Sequence, residues 1–229
     1  MKFFSVDGPL FKFFDRLWDI IKLNFFWLLC SLPVVTFGAS TIAAFSITMH
    51  MAEDTEGYIV KPFFREFKAN LKKGIPMGLM FLAALYAIFL YVQIIFKATQ
   101  YEGLLLALGI VFVVVYVQLF LYAFALAARY DNGVFKTLIN SYHICMKFNM
   151  RSLGLAAIVA VEICLFLWNE VLMIVGLLIA PGCVMLTISA FALRIFKSLE
   201  KEPGAVSNPE DLDKINNPEK QDEENKHVY

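Results

Sequence analysis

The chain has 229 residues, of which 59% are hydrophobic and 23 are phenylalanine, and its mean hydropathy is +0.66. Several apolar windows exceed the roughly 18 residues that indicate a membrane-spanning helix, which excludes an ordinary soluble domain. The 20 basic and 20 acidic side chains balance, and the basic ones cluster beside the apolar windows. This distribution favours an anionic membrane leaflet as their neighbour and argues against a nucleic-acid partner.

The first predicted element is an amphipathic helix that begins near Pro9 and becomes apolar on all sides at residues 25–29. The apolar character then continues to about residue 51 and is interrupted by two strong helix breakers, Pro33 and Gly38. We therefore expect the chain to bend or turn at this point, and the outcome decides the topology of everything that follows.

Two topologies compete for this run. One is a hairpin of two short spans, residues 17–32 and 34–51, and the other is a single kinked span over residues 23–48. The hairpin places 19 of the 20 basic side chains on one side of the membrane and only Lys97 on the other, whereas a single crossing gives 15 against five. The positive-inside tendency favours the hairpin, whether fully spanning or re-entrant. Its 16-residue first span reaches only about 24 Å of a hydrocarbon core of about 30 Å.

The later apolar spans complete a predicted all-α, polytopic transmembrane helical bundle. They are residues 74–96, 103–128, 152–168 and 171–193. We predict six membrane helices arranged as three hairpins, in a multi-pass protein of the cell membrane with both termini in the cytoplasm. The alternative is five spans with a kinked first helix.

A basic, aromatic, amphipathic segment precedes each of the two later helix pairs. In the first segment we predict a surface that docks on a partner or faces the lipid bilayer. Its residues are Phe63, Phe64, Arg65, Phe67, Lys68, Lys72 and Lys73. A Lys-x-Asn pattern also recurs at residues 22–24, 68–70 and 147–149. It indicates either a triplicated hairpin or a coincidence, because a fourth copy lies at residues 214–216.

The composition changes after residue 193, where proline and charged side chains replace the apolar residues. A segment of this kind has too little apolar surface to fold. We predict a helical membrane domain over residues 1–196 and a disordered, acidic cytoplasmic tail over residues 197–229.

The stretch around the first break resembles the opening motif of the YesL family, domain of unknown function 624. Its pattern is N-x-x-W-x-L-x-x-L-P-x-x-T-x-G-A, and the motif positions are Asn24, Trp27, Pro33, Thr36 and Gly38. Residues 63–73 look like the second block of the family, F-x-x-F-K-x-N-x-K-K, and the resemblance covers about residues 10–80. It implies a bacterial integral membrane protein, typical of Gram-positive organisms, with no assigned activity. Its relatives are often encoded near carbohydrate uptake systems.

Glu162 is the one acidic residue near the centre of a predicted span. An ionised carboxylate there costs several kcal/mol, so it is normally paired, protonated or buried in the bundle. One interpretation is a proton or cation site. The other, which we favour because the spans hold no second central acid, is a protonated side chain that bonds to a neighbouring helix through Gln93 or Gln118.

The sequence lacks the motifs of the common enzyme classes, including the phosphate loop, the zinc-protease helix, the nucleophile elbow and C-x-x-C. Its three histidines are dispersed, and we interpret its four cysteines as free thiols. We therefore expect no enzyme, metal or cofactor. The predicted function is an accessory or assembly partner of a carbohydrate uptake system, with sugar ABC transporter permease subunits as partners. A self-contained solute or ion transporter with a Glu162 site is the alternative, and the oligomeric state stays open.

Overall fold

The computed structural model describes residues 9–53, 58–97 and 102–200, and within these ranges it contains helices and no strand. The helices are α1 (Pro9–Ser31), α2 (Phe37–Ala52), α3 (Val60–Ala69), α4 (Leu71–Lys97), α5 (Glu102–Arg129), α6 (Val134–Lys147), α7 (Asn149–Leu167) and α8 (Glu170–Leu199). A short 3₁₀ turn, Val34–Thr36, precedes α2. The all-α class is confirmed. The tail predicted at residues 197–229 lies outside the described residues from residue 201 onward.

Within the described residues, five helical segments are long and apolar enough to cross a membrane, which indicates a multi-pass membrane protein. They are Val34–Ala52, Leu71–Lys97, Gly103–Arg129, Asn149–Leu167 and Glu170–Leu199. The helix α1 is not among them, because five charged side chains lie between residues 9 and 22.

The helices α1 and α2 form an antiparallel hairpin that turns at Pro33. Arg16 Nη2 near the start of α1 donates a hydrogen bond to the Met51 carbonyl oxygen near the end of α2, at 2.9 Å. Closer to the turn, Trp27 Nε1 donates to Thr41 Oγ1 at 3.1 Å. The chain path is therefore that of a hairpin, and a single kinked helix over residues 23–48 does not fit these contacts.

The turn itself is built from proline and hydroxyl side chains. Pro33 has no N–H to continue α1, and α1 ends two residues earlier. The Thr36 hydroxyl lies 2.6 Å from the Cys30 carbonyl oxygen, one of the last four carbonyls of α1, which lack a partner within the helix. The Pro33 carbonyl oxygen accepts a hydrogen bond from the Thr36 backbone N–H at 2.8 Å. The hydroxyls of Ser31 and Ser40 then bond to each other across the hairpin at 2.6 Å.

The helix α2 is the centre of the bundle. Thirteen of its 16 residues are buried, and α1, α3, α4, α5 and α8 all pack against it. A helix that is apolar on every side is stable only when it is surrounded in this way. Its contact with α8 includes a buried hydrogen bond of 2.7 Å between the hydroxyls of Thr48 and Ser189.

The backbones of α2 and α4 approach each other closely at three glycines. A Cβ atom added to Gly78 would lie 2.6 Å from the Gly38 nitrogen, and one added to Gly38 would collide with the Gly74 carbonyl oxygen. Gly74 and Gly78 form a G-x-x-x-G pair on one face of α4, the spacing that lets membrane helices pack at short distance. The sequence pattern indicated Gly38 as a helix breaker, but it did not indicate this second role.

We predict that Gly78→Ala lowers the free energy of unfolding by about 1–3 kcal/mol, because the new methyl group meets backbone atoms that cannot move aside. Gly154→Ala is the matched control, since a Cβ there meets no atom within 4 Å. The control substitution should leave the free energy of unfolding unchanged or raise it by about 0.5–1 kcal/mol, because alanine lowers the backbone entropy of the unfolded chain. Unfolding of purified protein in detergent measures both variants, and equal stability of the two would contradict the close contact.

Candidate functional site

The contact between α1 and α8 is centred on Asn24, whose side chain is only 2% exposed. Asn24 Nδ2 donates a hydrogen bond of 2.9 Å to the carbonyl oxygen of Leu177. Leu177 precedes Pro181 by four residues, and a proline has no N–H for the carbonyl four residues before it. The amide of Asn24 therefore replaces the donor that Pro181 lacks, and α8 continues through Pro181 without a break.

Two further features make this contact close and polar. A Cβ added to Gly182 would lie 2.7 Å from Ile20 Cγ2, so the glycine lets α1 pack directly on α8. The Oδ1 atom of Asn24 is buried and has no hydrogen-bond partner among the described residues. Asn24 thus supplies a donor where α8 needs one, and it leaves an acceptor free in the same contact.

The five motif residues lie on α1 or α2 or in the turn that joins them. Asn24 contacts α8, Trp27 and Thr36 hold the hairpin, Pro33 makes its turn, and Gly38 contacts α4. Each of them has a role in joining helices, and none of them faces an open cleft with a nucleophile or a metal ligand. Within the described ranges, no group of three His, Cys, Asp or Glu side chains is placed to hold a metal ion.

The structure does not bring the three predicted intramembrane polar residues together. Glu162, on α7, is partly buried and accepts a hydrogen bond from the Thr187 hydroxyl of α8. Gln118 is buried beside α6, where its backbone carbonyl oxygen lies 3.2 Å from Cys145 Sγ. Gln93 is exposed near the end of α4. The partner of Glu162 is therefore a threonine of the adjacent helix, in place of either glutamine.

The predicted docking surface on α3 needs correction for its aromatic residues. Phe63 is fully buried, and its ring lies 6.2 Å from that of Phe26 on α1. Phe64 also packs against Phe26, at 5.5 Å, and Phe67 stacks on Phe63 at 6.4 Å. Amphipathicity correctly indicated an apolar face, but the first hairpin covers that face.

The basic residues of the same segment have different surroundings. Arg65, Lys68 and Lys72 are exposed, and Arg65 pairs with the adjacent Glu66 at 3.2 Å. Lys73 is half-buried, and its Nζ lies 3.3 Å from Asp131 Oδ1 and 3.3 Å from the Tyr130 carbonyl oxygen. Lys73 thereby joins the start of α4 to the end of α5.

A charge network joins the C-terminal ends of α2, α5 and α8. Lys197 Nζ lies 3.0 Å from Glu53 Oε1, and Arg129 bridges Glu53 at 3.8 Å and Glu200 at 3.0 Å. The hydrogen bond from Lys197 lowers the pKa of Glu53 below its ordinary value. Burial raises the pKa of Tyr130 to about 12, and its hydroxyl donates to Glu200 at 2.9 Å. Two acids and two bases balance here, so the network holds helix ends together and has no excess charge to attract a ligand.

We predict that Asn24 and Pro181 are energetically coupled. Asn24→Leu should cost about 1 kcal/mol in the free energy of unfolding, because the Leu177 carbonyl loses its donor. In a Pro181→Ala background the restored N–H can bond to Leu177, so the same substitution should cost clearly less. A double-mutant cycle measured by unfolding in mixed detergent micelles tests the coupling. Loss of the free Asn24 Oδ1 cancels in the cycle, and an equal cost in both backgrounds would contradict the assignment.

Comparison with known proteins agrees with the resemblance noted in the motif. The family model described as "Protein of unknown function, DUF624" matches residues 20–94, which include the hairpin turn, α2, α3 and the glycines of α4. The uncharacterized protein YesL of Bacillus subtilis (strain 168) is 24% identical over 201 residues, which cover 86% of this chain and 94% of that protein. No solved structure matches the chain. Both matches make the chain similar to the YesL-like DUF624 proteins, and they support the resemblance seen in its motif.

Proposed function

We propose that this protein is a non-enzymatic accessory subunit that binds and supports a carbohydrate uptake complex, with a sugar ABC transporter permease as its partner. The observation that carries the proposal is the separation of the intramembrane polar side chains. A transporter needs several polar groups that converge on one path, whereas Glu162, Gln93 and Gln118 lie against different neighbours. The resemblance adds the second support, because relatives are often encoded beside carbohydrate uptake systems.

The surface that we assign to the partner is the outer part of the α4–α5 pair, residues 82–97 and 103–115, which we call the arm. None of these residues is buried within the chain. A cleft of about 740 Å³ with an apolar lining separates the two helices. The Phe81 and Tyr116 rings close its inner end at 5.8 Å, and Tyr91 Oη, which donates to the Leu105 carbonyl oxygen at 2.8 Å, closes the outer end. Such a surface suits a helix of another membrane protein.

The alternative function, a self-contained solute or ion transporter, rests on Glu162. Its hydrogen bond with Thr187 favours a structural role, because one bond between adjacent helices satisfies the carboxyl group without a relay. Transport would require further polar groups near Glu162, and Gln93 and Gln118 do not supply them.

We also infer six membrane helices, arranged as three hairpins with both termini in the cytoplasm. The antiparallel α1–α2 hairpin puts the start of α1 and the end of α2 at the same end of the bundle. The 23 residues of α1 reach about 34 Å, but five charged side chains lie between residues 9 and 22, so the apolar part of a first crossing remains short. The 19-to-one distribution of basic side chains then favours the cytoplasm for this end.

Cysteine labelling tests this orientation. In a variant whose four native cysteines are replaced, an impermeant reagent added outside the cell should modify Thr99→Cys or Gln100→Cys. It should not modify Phe3→Cys or Ser207→Cys until the cells are opened. These four positions lie outside the described residues. External labelling at position 3 would refute the inferred topology.

We predict that the arm is required for binding the permease. Phe89 and Phe112 are exposed aromatic residues of the arm. Replacing both with alanine should lower recovery of the permease in affinity purification from native membranes by about tenfold or more, as for a hot-spot contact. The matched control is Leu165→Ala with Ile174→Ala, at exposed positions of α7 and α8. This control should recover the permease as well as the unchanged protein does.

A transport assay separates the two functions. The purified protein in liposomes should move neither a sugar nor an ion, whereas deletion of its gene should reduce sugar uptake by cells. Flux through liposomes that Glu162→Gln abolishes, with folding intact, would refute the accessory role and establish the transporter.

A further inference from the structure

The helix α6 has an exposed apolar face. Phe135 is 78% exposed and Ile139 56% exposed, and Tyr142 and Met146 continue the same face one and two turns later. Steps of four, three and four residues place these side chains in one stripe along the helix. Such a stripe in water would be costly, so it indicates contact with an apolar phase.

The opposite face of α6 is polar and buried, which fixes the orientation of the helix. Thr137, Asn140 and Ser141 are all at most 3% exposed. Ser141 Oγ donates to the Leu119 carbonyl oxygen of α5 at 3.1 Å, and Cys145 Sγ donates to that of Gln118 at 3.2 Å. These bonds hold the polar face against α5, so the aromatic face cannot turn inward.

Positive charge lies at the end of this stripe. The Lys147 Nζ atom is 5.8 Å from the centre of the Phe148 ring, and the Arg151 guanidinium carbon is 5.5 Å from the same centre. The same stretch also contains the basic residue Lys136. The surface therefore combines an apolar stripe with cations and complements an anion that carries an apolar chain.

We propose that α6 and the first turn of α7 form a binding surface for an anionic phospholipid. Acyl chains lie along the stripe from Phe135 to Met146, and Lys147 and Arg151 bind the phosphate group beside Phe148. The helix α3 resembles α6 in sequence pattern but does not share this property, because Phe63 at the centre of its apolar face is fully buried. The proposal is independent of the accessory function.

Native mass spectrometry of the detergent-solubilised protein tests the head-group contact with phosphatidylglycerol as the probe and phosphatidylcholine as competitor. Lys147→Gln with Arg151→Gln should weaken phosphatidylglycerol binding by about tenfold or more, since each basic residue near a membrane surface contributes severalfold. Lys68→Gln with Lys72→Gln removes the same charge from exposed positions near the end of α3 and the start of α4, and it should change binding less than about threefold. The charge-preserving pair Lys147→Arg with Arg151→Lys should retain phosphatidylglycerol binding.

An equal loss of phosphatidylglycerol binding in the two double glutamine variants would show general charge attraction and overturn the site. Unchanged binding in both variants would also overturn it. A photoreactive benzoylphenylalanine at Ile139 provides a second readout that does not depend on charge. In native membranes it should form adducts with phospholipid acyl chains, whereas the same group at Arg65 on α3 should not. Crosslinking of position 139 to a protein in place of lipid would refute the lipid surface and identify a protein interface.

Discussion

The burial of α2 on every side is the constraint on which the rest of the structure depends. Five helices can surround a sixth only if the polar groups of the sixth are satisfied without water. The hydroxyls of Ser40 and Thr41 bond to the Phe37 carbonyl oxygen of their own helix at 2.9 and 2.7 Å. Thr48 bonds to the Phe45 carbonyl oxygen at 3.1 Å. Because the polar groups need no water, α2 can lie in the core, and Gly38 brings its backbone against that of α4.

Two prolines explain why the family motif contains particular hydrogen-bonding side chains. In hydrocarbon or a dry core, a backbone carbonyl without a donor costs free energy that water would otherwise recover. Pro33 follows the end of α1, and the Thr36 hydroxyl serves the Cys30 carbonyl oxygen at that end. Pro181 removes a donor inside α8, and Asn24 serves the Leu177 carbonyl from 153 residues away. Thr36 and Asn24 thus each compensate a local cost of the fold.

The sequence predicted what local chemistry determines and missed what depends on which helices meet. Hydropathy predicted the helical membrane class, and the breakers at Pro33 and Gly38, with the charge count, predicted a hairpin. The sequence could not predict the hydrogen bond between Asn24 and Leu177, because no spacing rule connects positions that are 153 residues apart. The three Lys-x-Asn copies do not occupy one structural position: Asn70 follows α3 directly and Asn149 begins α7, whereas Asn24 lies inside α1.

The contrast between α3 and α6 shows why an amphipathic pattern alone does not identify a surface. Both helices precede a membrane hairpin and carry aromatic residues at helical spacing beside cations. In α3 the aromatic face meets Phe26 of the first hairpin and becomes core. In α6 the polar face bonds to α5 through Ser141 and Cys145, so the aromatic face points outward. The pattern gives the two faces of a helix, and only the neighbours decide which one is buried. Since the buried polar groups of this protein serve mainly to join its helices, its function is best sought on the outward faces, α6 and the arm.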